Sequence, residues 1–215
     1  MSRNFDGVND KIATALDAVT GINVNVTTML LWVNEDTLAV ARQQLLTIGI
    51  DLTTGRKNLA ITGTGYVGNT NAVRFFQAGT TDGIWVTPTN SIVTGKWTHI
   101  AVVYDRSATT NDPSIYIDFV LQTLTEESTP ATIQTGDDTI QLGLSFTDTN
   151  DFDGRMAYVQ VFARGLSLEE IRQAALVPGS LTNGLRWFLP LWGGAPEGDY
   201  SGTGASGTVT GPLMG

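Results

Sequence analysis

Acid–base or nucleophilic chemistry needs side chains paired at a fixed spacing, and this chain offers few such pairs. Retaining hydrolysis of a glycosidic bond takes two carboxyl groups about 5 Å apart on one side of the substrate. Carboxylates on alternate residues of a strand would supply them, but no E-x-D-x-E run occurs. Glu126 and Glu127 are adjacent in a segment read as loop. Glu169 and Glu170 fall in the first turn of an expected helix, where capping and the helix dipole account for them. His99 is the single histidine, so any Ser-His-Asp site would have to use it. It stands mid-strand in register with Trp97 and Ala101 and reads as a hydrogen-bonded core or half-buried residue. Cysteine is absent, which removes thiol nucleophiles, cysteine metal sites and disulfides. No catalytic residues are expected.

Binding chemistry is better represented. Sugar recognition needs aromatic platforms beside polar groups, and Tyr66, Trp85 and Trp192 lie near glycine-rich loops, which makes them the candidate ligand-binding residues. Trp32, Trp97 and Trp187 sit in apolar strand patterns and are assigned to the core. Asp148, Asp151 and Asp153 alternate with polar groups near a late strand, and Asp6 stands close to the start. Calcium takes carboxylate and carbonyl oxygens, so this acidic loop allows a structural calcium. A merely solvated loop accounts for the same residues, and no ligand set can be named. No cofactor is required.

These residues hang on a chain of 215 residues with 24 glycines and a single convincing helix. The expected fold is all-β, a two-sheet antiparallel β-sandwich or jelly roll of one domain over residues 1–215. The organising stretch runs from Asp151 to Ile171. Met156 to Phe162 alternates as a strand covered on both faces, with Met156, Tyr158, Gln160 and Phe162 pointing one way and Ala157, Val159 and Val161 the other. Ser167, three residues before Glu170, then forms a capping box for a short helix near 168–175, ended by Pro178-Gly179. Other strands are expected at Asn25–Val33, Gln44–Ile50, Lys57–Ile61, Ala72–Phe76, Lys96–Tyr104, Ser114–Asp118, Phe119–Leu124 and Thr139–Leu144. Glu35–Gln44 is ambiguous, and Thr125–Gly136 reads as loop.

The net charge is −9, so a broad basic patch and a nucleic-acid partner are not expected. Met1 leads straight into Ser2-Arg3-Asn4-Phe5 without an apolar stretch, and no run is long enough to cross a bilayer. The expectation is a protein made in the cytoplasm without a signal peptide or membrane insertion.

Four pieces together resemble the laminin-G-like (concanavalin A-like) jelly-roll superfamily. They are Phe5-Asp6-Gly7-Val8-Asn9-Asp10, Trp97-Thr98-His99-Ile100-Ala101-Val102-Val103-Tyr104-Asp105, Tyr116-Ile117-Asp118 and the stretch from Phe152 to Ile171. Phe119 stands where that hairpin usually carries glycine. Leu185 to Leu191 and Asp199 to Gly211 resemble the family's opening pieces placed last, a circularly permuted order. Residues 185–211 would then complete this chain's own sandwich or a neighbour's, the second making a homo-oligomer. The family likeness implies a structural calcium. A looser likeness to tailed-phage proteins implies a structural or decorating protein on a virion surface, docked to other virion subunits. The alternative it implies is a lectin-like module binding surface glycans.

Overall fold

The computed structural model describes residues 2–15, 17–37, 42–49, 55–133, 136–144 and 151–211. The strands in chain order are β1 Arg3–Asp6, β2 Lys11–Ala13, β3 Val26–Glu35, β4 Arg42–Ile48, β5 Lys57–Thr62, β6 Ala72–Gln77, β7 Gly83–Val86 and β8 Thr98–Asp105. Then follow β9 Ser114–Ile117, β10 Val120–Leu121, β11 Thr125–Ser128, β12 Ile140–Leu142, β13 Asp153–Phe162, the helix α1 Leu168–Leu176, β14 Leu185–Leu189 and β15 Thr208–Thr210. Two antiparallel sheets result. One runs β1-β13-β3-β8-β9-β10, with β14 also on β13; the other runs β11-β7-β6-β5-β4-β12-β2-β15.

The main core fills the space between the sheets, from Phe5 and Ile12 through Met29, Leu31, Leu59, Phe75, Ile100 and Val161 to Trp187 and Ala205. A second, smaller core lies on the outer face of the first sheet, where Ile171 and Ala174 of α1 cover Leu30, Ala101, Phe162 and Phe188. The helix is sited by its sequence. Ser167 accepts from the Glu170 N–H while the Glu170 carboxylate accepts from the Ser167 N–H, the expected capping box. Such a cap is worth about 1 kcal/mol. Arg164 clamps the same carboxylate at 2.7 Å and, with the Ser167 N–H, holds it down to about 2.

Three sequence expectations change. The strict alternation over Met156–Phe162 fails, because Met156, Val159 and Val161 all enter the main core. Ala157 pairs with Trp32 and Gln160 with Leu30, so β13 carries one residue more than β3 across this interval. The extra residue is a bulge, and Tyr158 takes φ 52° to make it. Asp118 and Phe119 form a tight turn with φ 47° and 68°, the backbone that suits a two-residue hairpin. Phe119 adopts this left-handed conformation at a steric cost of roughly 1 kcal/mol; its ring stacks on His99 at 4.9 Å. Finally, Thr125–Ser128 is an edge strand, not a loop. Its residues are mostly exposed, so it carries no apolar alternation to read. Of the ambiguous Glu35–Gln44 stretch, Arg42 onward belongs to β4, and residues 38–41 lie outside the described residues.

One buried group stands out. Glu35, at the end of β3, is 1% exposed and neither carboxylate oxygen has a hydrogen-bond partner. Burial, reinforced by the Asp153 charge, pushes its carboxyl up to about 8. The folded state therefore holds a proton that the unfolded chain releases near pH 4.5. Stability should fall as pH rises from about 4.5 to about 8. Chemical denaturation of Glu35→Gln is expected to show a flatter profile across that window and a gain of a few kcal/mol above it; an unchanged slope contradicts the assignment.

Candidate functional site

The C-terminal segment builds the first cleft. Trp187 points into the main core and its Nε1–H donates to Ala205 O at 2.8 Å, which ties the returning tail down. Phe188 points the other way, into the helix-side core. Beyond Pro190 and Leu191 the chain emerges at Trp192, which is 52% exposed. Tyr200, 58% exposed, leans on Phe188 at 6.3 Å and on Trp192 at 5.4 Å, the latter with a 58° tilt. These two rings, with Pro190, Gly194, Pro196 and Glu197, line a cleft of about 370 Å³.

Two carboxylates shape this loop, Glu197 buried and Asp199 partly buried. Glu197 is buried and lies 3.4 Å from the Arg3 guanidinium, while also accepting from the Gly193 N–H at 3.0 Å. Arg3 in turn donates to Gly194 O at 2.7 Å. The N-terminal strand thus holds the loop that carries Trp192. Asp199 accepts from the N–H groups of Phe188, Ser201 and Gly204 and from the hydroxyls of Ser201 and Thr203. Burial alone would raise its carboxyl, but these bonds hold it below the usual range. The Ser-Gly-Thr-Gly run is therefore a wrapped carboxylate that fixes Tyr200.

A second cleft, of about 400 Å³, is lined by Ser2, Trp32, Trp97, Ala157 and Tyr158. Trp32 is oriented by its Nε1–H, which donates to Ala175 O in the last turn of α1 at 3.3 Å. Behind it His99 is packed between Trp32 and Phe119, at 5.2 and 4.9 Å. His99 is fully buried and neither ring nitrogen has a hydrogen-bond partner, unlike the hydrogen-bonded histidine expected. Burial depresses it to about 4, so it is neutral at pH 7 and serves as a flat packing ring.

Of the sequence candidates, Trp192 lines one of these two clefts and the others line neither. Trp85 cannot serve as a platform: it is 0% exposed, packed against Phe75 and Tyr104, and its Nε1–H donates to Asp112 at 2.8 Å. The glycine-rich loop near it in sequence does not leave its ring open. Tyr66 is half-buried, and its hydroxyl donates to Glu127 at 2.6 Å and accepts from Arg74 at 3.3 Å. It belongs to neither cleft. Trp97, assigned to the core, stands one residue before β8, is 36% exposed and lines the second cleft. Tyr200 and Tyr158 were not singled out. Tyr200 had a signal, an aromatic inside a Gly/Ser/Thr loop; Tyr158 does share the helix side with Gln160 and Phe162 as the alternation predicts, but nothing local showed that it would stay half-buried at a cleft.

For calcium, Asp6, Asp10 and Asp151 interact at the turn after β1, and Asp10 and Asp151 are raised by burial and then by their neighbours' charges. The turn satisfies part of this itself: Asp10 accepts from the Asp6 N–H and Asp6 from the Val8 N–H. Asp153 accepts from the Thr37 hydroxyl at 2.8 Å. Asp148 lies outside the described residues. Among the described residues no group of three or more His, Cys, Asp or Glu side chains could hold a metal ion, so no role is assigned through one. Among them, too, no helix is long and apolar enough to cross a membrane.

Residues 6–172 match the family model of the concanavalin A-like lectin/glucanases superfamily, and the chain belongs to that family. A search of curated proteins brings up no match. Among solved structures, a Bacteroides ovatus protein provisionally classed as carbohydrate binding superposes with a TM-score of 0.70 at 19% identity. That match covers 99% of this chain and 58% of the other. The CBM40 of a Ruminococcus gnavus sialidase, bound to α2,3-sialyllactose, gives 0.56 at 16% identity over 80% of this chain and 96% of its own. Domain 4 of a Geobacillus stearothermophilus extracellular arabinanase, in complex with arabinotriose, gives 0.51 at 19% identity over 70% of this chain and 66% of its own. At these identities the likeness shows the fold.

The Arg3–Glu197 pair yields a test of how the first cleft is held. Removing one partner strands a buried charge, which costs about 3 kcal/mol or more. Glu197→Ala should lower the melting temperature by several degrees and alter Trp192 emission. Unchanged stability and emission would show that the loop is held without the pair.

Proposed function

We propose that this protein is a non-catalytic carbohydrate-binding module whose sugar ligand stacks on Trp192 and Tyr200. One observation carries the reading: two rings more than half exposed stand 5.4 Å apart over a cleft walled by prolines and glycines. A pyranose or furanose ring has an apolar face of C–H groups and a rim of hydroxyls. An aromatic face covers the first, and nearby peptide groups meet the second. Membership in the lectin/glucanase superfamily and fold likeness to modules solved with sialyllactose and arabinotriose support the reading. The relatives favour this glycan-binding role over the decorating role expected first. A virion surface would be a place where such a module works and would leave its chemistry the same.

A glycan array followed by calorimetry on the purified chain tests the proposal. Trp192→Ala and Tyr200→Ala should each weaken the best array ligand at least tenfold, about 1.4 kcal/mol, with little change in melting temperature. An array without hits, or a ligand indifferent to both variants, overturns it.

A further inference from the structure

The two clefts are neighbours on one face. The Tyr158 N–H, from the lining of one, donates to Pro190 O, from the lining of the other, at 3.3 Å. Ser2 lines the first and is followed by Arg3, which donates to Gly194 O in the second. Each has a lining residue tied to the side of the first sheet that carries α1. Trp32 bonds the last turn of the helix, and Tyr200 rests on Phe188, which the helix-side core contains. The cause of this adjacency is the bulge on β13. The strand's edge pairs with β1 at residues 153–156 and with β14 at residues 159–162, leaving Ala157 and Tyr158 at the seam.

We propose that the two clefts are parts of a single groove that binds an extended, uncharged oligosaccharide lying across the strands. This rests on the carbohydrate-binding reading above and adds the ligand's length and charge. Trp97 at the entry to β8, Trp32 on β3, Tyr158 on β13, and Trp192 and Tyr200 after β14 supply aromatic rings in succession. Three inter-strand steps of about 4.8 Å already span about 14 Å, and the Trp192–Tyr200 pair extends beyond them. One sugar cannot touch both ends. The described lining of both clefts contains no lysine or arginine and includes Glu197. The nearby Arg3 is engaged by Glu197 and Gly194. Lys96, next to Trp97, is neutralised by Asp118 at 3.1 Å, and with a net charge of −9 on the chain an acidic glycan finds no counter-charge in this lining.

Calorimetry on the full chain with xylo-, manno-, cello- and arabino-oligosaccharides of two and six units, and with sialyllactose, tests the groove. For whichever neutral series binds, the six-unit sugar should bind at least tenfold tighter than the two-unit sugar, at one chain per protein. In Trp97→Ala that ratio should collapse toward one. Equal affinity at both lengths, two short sugars bound independently, or a ratio unaffected by Trp97→Ala overturns the groove while leaving carbohydrate binding intact. Preference for sialyllactose overturns the uncharged ligand. If no sugar of any length binds, the carbohydrate reading itself falls, and the groove with it. Because Trp97 is at the surface, a melting curve confirms that the variant is folded, and the wild-type stoichiometry tests the proposal without any variant.

Discussion

Everything in this molecule depends on the hydrogen bonding of β13. One edge of it pairs with β3 along almost its whole length, and the other is divided between β1, from the start of the chain, and β14, from near its end. The N-terminal and C-terminal strands therefore close the same sheet edge. The same happens opposite, where β15 pairs with β2. Trp187 fills the core behind this closure, and the Arg3–Glu197 pair locks the outside. A strand shared by two ends of the chain needs a seam, and the bulge at Tyr158 provides it.

That seam places aromatic rings on the outer face of the first sheet, the face that a sandwich leaves to solvent wherever no helix covers it. Part of the outer face is sealed by α1, whose own position follows from the Ser167–Glu170 cap. The remainder carries rings held in place by single polar contacts: Trp32 by a helix carbonyl, Tyr200 by the loop that Asp199 wraps. Three ionisable groups close by are already engaged or buried. Glu197 is paired, Asp199 is saturated with donors, and His99 is neutral between aromatic rings. What the two clefts turn toward solvent is aromatic rings beside peptide groups, which suits the proposed stacking of a sugar.

The sequence made much of this legible, and the failures have physical causes. Strand class, the capping box and the family motifs all depend on local spacing, which a linear reading captures. Trp192 was read as an open ring from the glycines beside it, and it is 52% exposed. Trp85 misled because its nearness to a glycine-rich loop is a fact of sequence, whereas its burial against Phe75 and Tyr104 is set by sheet packing. Trp97 misled in the opposite direction: it continues the alternating apolar pattern but stands one residue before β8, beyond the covered part of the sheet. The bulge lay beyond reach because period-two alternation in β13 has apolar residues on both sides, so one inserted residue leaves no mark.

The five tryptophans contain a direct test, since each indole N–H gives its own proton–nitrogen NMR signal. Titration of the labelled chain with the glycan that binds it should shift the signals of Trp192, Trp97 and Trp32, which line the clefts. Those of Trp85 and Trp187, buried and bonded to Asp112 and Ala205, should stay in place. Shifts confined to residues away from both clefts, with all three cleft indoles unmoved by saturating glycan, would contradict the account.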